Sequence, residues 1–168
     1  ATAFLDEYRA EKTLAMNFSI VNPRTGEPYP RDPRGVAQKA EDYLSSSGIA
    51  DTAFFGPEAE FFLFDDVKWS STPQASFYSV DAEEAEWKSG EEIPGGNLGH
   101  QMATKGGYFP VTPQDKTADV RDAICLALDA VGLEVERSHH EVAGPGQQEI
   151  NYKFNTLMHA ADDVQKFK

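Results

Sequence analysis

Four glutamates sit where carboxylates are costly. In the stretch AFFGPEAEFFLF (53–64), Glu58 and Glu60 lie among Phe54, Phe55, Phe61, Phe62, Leu63 and Phe64. Residues two apart on a strand share a face, which sets these carboxylates about 7 Å apart with Ala59 turned away. Burying an ionised carboxylate without a partner is strongly unfavourable, and the first cation to follow is Lys68. A second pair brackets a turn in SHHEVAGPGQQEI (138–150). With the turn centred on Pro145, Glu141 and Glu149 become direct cross-strand neighbours, where like charges repel. Carboxylates paired in these two ways suit an oxygen cage for hard divalent cations such as Mg²⁺ or Mn²⁺. Salt bridges at a sheet rim, or a solvated sheet face, are the other arrangements this spacing allows. His139 and His140 face opposite ways on a strand, and His139, with the parity of Glu141, is the better placed to join the site.

The elements that must hold these residues follow from periodicity. KTLAMNFSIVNP (12–23) is a β-type run closed by Pro23, and 51–67 is predicted as a buried strand, apolar on nearly every position. Between them, Val36, Ala40, Tyr43 and Leu44 share one face of a helix over 35–48, with Gly48 at its C-cap. Residues 70–104 mix Ser, Pro, Gly and acids, and are expected to form a long excursion with little regular structure. KGGYFPVTP (105–113) is expected to return to the core. A helix is predicted over 117–132, with Val120, Ile124, Leu128 and Val131 on one face and Gly132 ending it. Residues 133–156 read as two strands joined by the Ala-Gly-Pro-Gly turn, and a last helix opens near HAADDVQKFK (159–168). The fold class is α+β.

Composition bounds the function. With 28 acidic against 15 basic residues, the net charge of −13 repels nucleic-acid backbones and anionic lipid, so neither is an expected partner. The 168 residues suffice for one globular domain, or one large domain with part of another. Cys125, the single cysteine, lies in an apolar helical pattern, as a packed thiol would, and fits a reducing cytoplasm. No run of about 18 apolar residues exists to span a bilayer, and the start lacks a basic-then-apolar signal, so the expected location is cytoplasmic. The chain starts without Met and ends on DDVQKFK without a helix stop, which is expected of a piece of a longer protein.

Three ordered motifs carry a resemblance. GPEAEFFLFDD (56–66), KGGYFPV (105–111) and HHEVAGPGQQEINYKFN (139–155) together resemble the prokaryotic type I glutamine synthetases, and the likeness runs along essentially the whole chain. It implies ATP-dependent ligation of glutamate and ammonia through γ-glutamyl phosphate, with two divalent metals, Mg²⁺ or Mn²⁺, at the site. Matched residue by residue, Glu60, Glu141 and Glu149 correspond to ligands of one metal, and Glu58 to a ligand of the second, nearer the nucleotide. Tyr108 matches a residue lining an ammonium pocket that Glu141 also reaches. Glu136 matches a nucleotide-contacting acid, and Tyr152, Lys153 and Phe154 the segment that contacts ATP. Strict alternation sets Glu136 opposite to Glu141, so if both serve one cavity a β-bulge or twist must lie between them.

The resemblance also implies an organisation. Residues 1–33 correspond to the end of a β-grasp domain and 34–168 to the first part of the catalytic domain. The family's remaining second-metal ligands, substrate loops and arginines are absent, so the piece alone is expected to be inactive. The longer protein is expected to assemble as a dodecamer of two stacked six-subunit rings, with glutamate, ammonia and ATP as its substrates. Two other readings stay open: a non-catalytic relative with a structural or regulatory role, and a ligase that γ-glutamylates another amine.

Overall fold

The computed structural model describes residues 2–168. In chain order the strands and helices are β1 (Ala3–Leu5), β2 (Leu14–Met16), α1 (Pro33–Ser47), β3 (Phe54–Phe55), β4 (Glu58–Phe62), β5 (Asp66–Ser71), β6 (Ser76–Asp81), β7 (Glu92–Ile93), β8 (Gly96–Asn97), α2 (Ala118–Ala130), β9 (Val135–His140), β10 (Gln147–Tyr152), β11 (Asn155–Thr156) and α3 (Leu157–Phe167). The architecture is α+β with small antiparallel sheets. Among the described residues, no helix is long and apolar enough to cross a membrane. The chain divides into two compact units, and the division runs through α2, β9 and β10.

The first unit comprises the residues up to Pro57, Leu126–Glu136 and Asn151–Lys168. Its helix α1 begins where Asp32 accepts hydrogen bonds from the N–H groups of Arg34 and Gly35, with Pro33 supplying a preset φ at the first position. It ends at Gly48, whose φ of 71° suits a residue without a Cβ. Helix α1 packs on α3, joined by the Arg34–Asp162 ion pair at 3.0 Å and by the Met158 N–H donating to Glu41. The strand expected over 12–23 shrinks to β2, paired with β1. Beyond it Asn22, Gly26 and Glu27 close a turn, and prolines on both sides cannot donate to a ladder.

The expected long strand over 51–67 is broken. Gly56 and Pro57 separate β3, which pairs with β11 in the first unit, from β4 in the second. Pro57 has no N–H to continue the ladder. Phe54, Phe55, Phe62 and Phe64 are exposed rather than buried.

The second unit comprises Glu58–Cys125 and Arg137–Ile150. Its strand β4 stands at one edge of the sheet ordered β4–β10–β9. Glu58, Glu60 and Phe62 occupy the exposed face of β4, with Ala59 and Phe61 half-buried on the other. The shared face of the two glutamates holds, while their expected burial does not.

The segment 70–104 is more regular than expected. β5 and β6 form a hairpin in register, Trp69 opposite Tyr78 and Ser71 opposite Ser76, closed where the N–H of Thr72 donates to Ala75. A 3₁₀ turn at Glu86–Lys88 and the β7–β8 hairpin follow. The motif at 105–113 does not return to the core: Tyr108, Phe109 and Val111 are exposed. On α2 it is Arg121 that is buried and Val120 that is exposed, because Arg121 pairs with Asp115 at 2.7 Å and donates to Gln148. A buried cation is tolerable when its partner is equally enclosed.

Candidate metal centre

The end of β9, the turn after it, and β10 set the site, and the register there differs from the expected one. The Glu141 N–H donates to the carbonyl of Gln147 at 3.0 Å. In an antiparallel ladder such a bond joins residues directly opposite, which centres the turn on Gly144 rather than Pro145. The cause is local: the Gln147 N–H closes back on the Gly144 carbonyl, and Gly144 and Gly146 take φ of 131° and 80°. Glu141 thus faces Gln147 and is a diagonal neighbour of Glu149, not its direct partner. His139 instead lies against Glu149, its Nε2 3.7 Å from Oε2, while its Nδ1 lies 3.7 Å from Glu141 Oε1.

Two groups of ligand-type atoms result, each with its atoms within 4.8 Å of one another: His139, Glu141 and Glu149, and Glu58, Glu60 and Glu149. Glu149 belongs to both. Glu141 and Glu149 are buried, His139 is half-buried, and Glu58 and Glu60 are exposed. Partial loss of hydration beside its neighbours first, then the charges of Glu149, Glu141 and Glu58, raise the Glu60 carboxyl above its ordinary value. Gln147 Nε2 donates to Glu60 at 2.8 Å, and the Val142 N–H donates to Glu141 Oε2 at 2.6 Å. Converging carboxylates with one imidazole are the donor set of a hard divalent cation, and a cation would relieve the repulsion that raises Glu60.

Behind the cluster lies a buried pair: His140, which strand parity turns away from the site, and an acid, Glu84, that sequence reasoning missed. His140 and Glu84 are each 2 % exposed, and His140 Nε2 donates to Glu84 Oε1 at 2.7 Å. His140 Nδ1 faces two carbonyl oxygens, Gly107 at 2.9 Å and Glu141 at 3.0 Å. Nδ1 faces carbonyl oxygens only and so carries hydrogen, while Nε2 meets a carboxylate that favours the protonated ring. Burial pulls the His140 pKa down, but the Glu84 carboxylate outweighs it and the net direction is up. Burial pushes Glu84 up, yet bonds from His140 and the N–H groups of Gly146 and Lys116 hold it below the ordinary range. In VDAEEAEW, Glu84 is one acid among several, and nothing in its spacing separates it from a solvated charge.

The remaining candidates lie outside these two ligand groups. Tyr108, in the second unit, is 58 % exposed and stacks on Phe109 at 5.1 Å. In the first unit, Lys153 is exposed and pairs with Glu134 at 2.9 Å, while Phe154 meets Phe54 edge-on at 5.6 Å. Tyr152 is buried and stacks on Phe167; burial pushes its hydroxyl up to about 12. Glu136 is exposed on β9. Seven positions separate Glu134 from Glu141, but six separate their partners Gln147 and Lys153, which is the count of a β-bulge in β9. Burial along β9 likewise departs from alternation, with Glu136 and Arg137 both exposed.

Comparison with known proteins agrees with these motifs. Residues 30–168 match the family model described as "Glutamine synthetase, catalytic domain". The chain is 56% identical over 168 residues to a glutamine synthetase of Streptomyces coelicolor, covering all of this chain and 35% of that protein. It is also 51% identical over 164 residues to a protein of Cupriavidus pinatubonensis named 3-hydroxylaminophenol mutase, covering 98% of this chain and 35% of that one. The chain thus spans about a third of the length of the curated relatives it matches. Among solved structures, a glutamine synthetase of Plasmodium falciparum superposes with a TM-score of 0.81 at 28% identity, over 100% of this chain and 34% of that one. With a fold, a motif order and a family model in agreement, the chain belongs to the glutamine synthetase catalytic-domain family.

Proposed function

We propose that the longer protein represented by this chain is a glutamine synthetase, an ATP-dependent ligase that condenses glutamate with ammonia. The observation that carries this reading is the convergence of Glu58, Glu60, Glu141, Glu149 and His139 on two overlapping ligand groups. Identity over a third of the length is shared with a relative named as a mutase, so the carboxylate cluster weighs more than the percentage.

In this reading Glu60, Glu141 and Glu149 hold one divalent cation, Mg²⁺ or Mn²⁺, and Glu58 contributes to a second. When bound, the cations neutralise charge on the transferring phosphoryl group. An oxygen of the glutamate γ-carboxylate attacks the γ-phosphorus of ATP and ADP leaves; the bound ammonium gives up a proton to water, the ammonia nitrogen so formed attacks the γ-carbon, phosphate leaves, and the nitrogen loses a second proton to water to give the amide. Glu141 and Tyr108 bind the ammonium ion, a carboxylate and an aromatic face both being suited to a small cation. Glu136, Tyr152, Lys153 and Phe154 contact the nucleotide. Residues 1–33 end a β-grasp domain, with the family model beginning at residue 30 in support. The protein acts in the cytoplasm as a dodecamer of two stacked rings.

Phosphate release from ATP by the full-length protein tests this, with Mg²⁺, glutamate, and ammonia present or withheld. Release that requires both substrates and yields glutamine is the expected result. An assembled protein that binds Mn²⁺ yet releases none is a non-catalytic relative, and one that needs a larger amine is a different γ-glutamyl ligase.

A further inference from the structure

We propose that Glu84 is a positioning residue for the ammonium end of the site, acting through His140 on the loop that carries Tyr108 and on Glu141. The proposal rests on the glutamine synthetase reading above and adds to it a residue outside the metal cluster.

The geometry makes Glu84 a hub. One of its carboxylate oxygens accepts from His140 Nε2 and from the Gly146 N–H, and the other from the Lys116 N–H at 3.2 Å. Its own carbonyl accepts from the Met102 N–H. His140 passes the constraint on, since its Nδ1 engages the carbonyls of Gly107 and Glu141 together. Those carbonyls belong to the residue just before Tyr108 and to Glu141 itself, so one ring fixes the spacing between the two groups assigned to ammonium.

The loop needs such a hold. Lys105 and Phe109 both take left-handed backbone conformations, with φ of 64° and 52°, which cost side-chain-bearing residues free energy unless their surroundings enforce them. A Cβ at Gly107 would collide with the Glu141 carbonyl and crowd the His140 ring, so the loop passes as near β9 as a chain can. The Lys105 N–H donating to Ala143 ties the other end of the loop to the same turn. On the far side, the Gly146 carbonyl accepts from the Leu63 N–H at 2.8 Å, just past the strand bearing Glu58 and Glu60.

The test uses the full-length protein with Glu84→Gln, His140→Gln and the double variant, following KM for ammonium, KM for ATP, kcat and thermal unfolding. Glu84→Gln keeps the shape but presents an amide NH₂ to groups that are themselves donors. The expected result is a KM for ammonium raised about tenfold or more, the scale of a lost charge-assisted hydrogen bond. KM for ATP should stay within about twofold on the same scale. The double variant should be no worse than the worse single, because the two act in series. Equal losses for both substrates, or none, overturn the proposal. If Glu84→Gln does not fold, Glu84→Asp retains the charge and shortens the reach, and should show the same split; failure of both to fold reduces Glu84 to a folding role and also overturns it. A wild-type protein that makes no glutamine refutes the underlying reading, and this proposal with it, whatever the variants do.

Discussion

Glu141 joins three roles in one residue: its side chain stands in the ligand cluster, its carbonyl anchors His140, and its N–H sets the turn. Replacing it by Gln removes a full charge from the cluster while keeping its shape. Activity of the full-length enzyme should fall on the order of 10²-fold or more, the scale of a lost transition-state electrostatic group. Excess Mn²⁺ that restored it completely would reduce Glu141 to an affinity ligand. Tyr108 makes a separate claim. Tyr108→Ala should raise KM for ammonium while leaving the ATP dependence in place, and unchanged ammonium use would remove it from that role. At this scale the sequence was partly legible. Residue types and parity pick out Glu58, Glu60, Glu141, Glu149 and His139, which the structure brings together. Glu84 was hidden because a buried acid and a solvated one look alike in a run of acids.

Elements were legible where one strong local signal governs them. The stop of helix α1 at left-handed Gly48 was read from the chain, whereas its start at the Asp32 cap and Pro33 precedes the expected residue 35. The β5–β6 hairpin was not read, since WSSTPQASFY lacks the Asn-Gly signature and its strands are held by cross-strand aromatic and hydroxyl pairs. The expected face of α2 holds at Leu128, which is buried, and at Ile124, which is half-buried, but not at exposed Val120; its neighbour Arg121 is buried instead because it reaches Asp115, a contact that periodicity cannot foresee. The turn centre slipped by one residue because two glycines, not the proline between them, set its geometry. That turn supports a sharp prediction. At Gly146 an added Cβ would strike the Leu63 carbonyl at a positive φ, whereas Gly26, with similar φ, opens on free space. Gly146→Ala should therefore lower the thermal midpoint of the full-length protein far more than Gly26→Ala, which costs about 1–2 kcal/mol for a left-handed residue with a Cβ. Equal shifts would mean that the turn is not held against Leu63.

For the whole molecule, the net charge of −13 is spread unevenly in meaning. Most acids are solvated, and a few are enclosed with specific partners. Asp115 is one: burial pushes its carboxyl up, but Arg121 and Thr117 outweigh burial and hold it below the ordinary range. A depressed folded-state pKa adds stability that is present above the unfolded value, about 3.9, and is lost as pH falls through the folded one. Thermal unfolding of the full-length protein should therefore lose midpoint temperature on acidification below about pH 4, and Asp115→Asn should remove that part of the loss. An identical acid profile in the variant would show that Asp115 contributes nothing to it.

The central claim is that the carboxylates converging on Glu149 form a divalent-cation site, and the most direct measurement is Mn²⁺ titration of the full-length protein followed by electron paramagnetic resonance. Because Glu149 belongs to both ligand groups, Glu149→Gln should weaken Mn²⁺ binding by about tenfold or more, the equivalent of losing roughly 1.4 kcal/mol of attraction. Wild-type affinity in that variant, with the protein folded and assembled, would contradict the account.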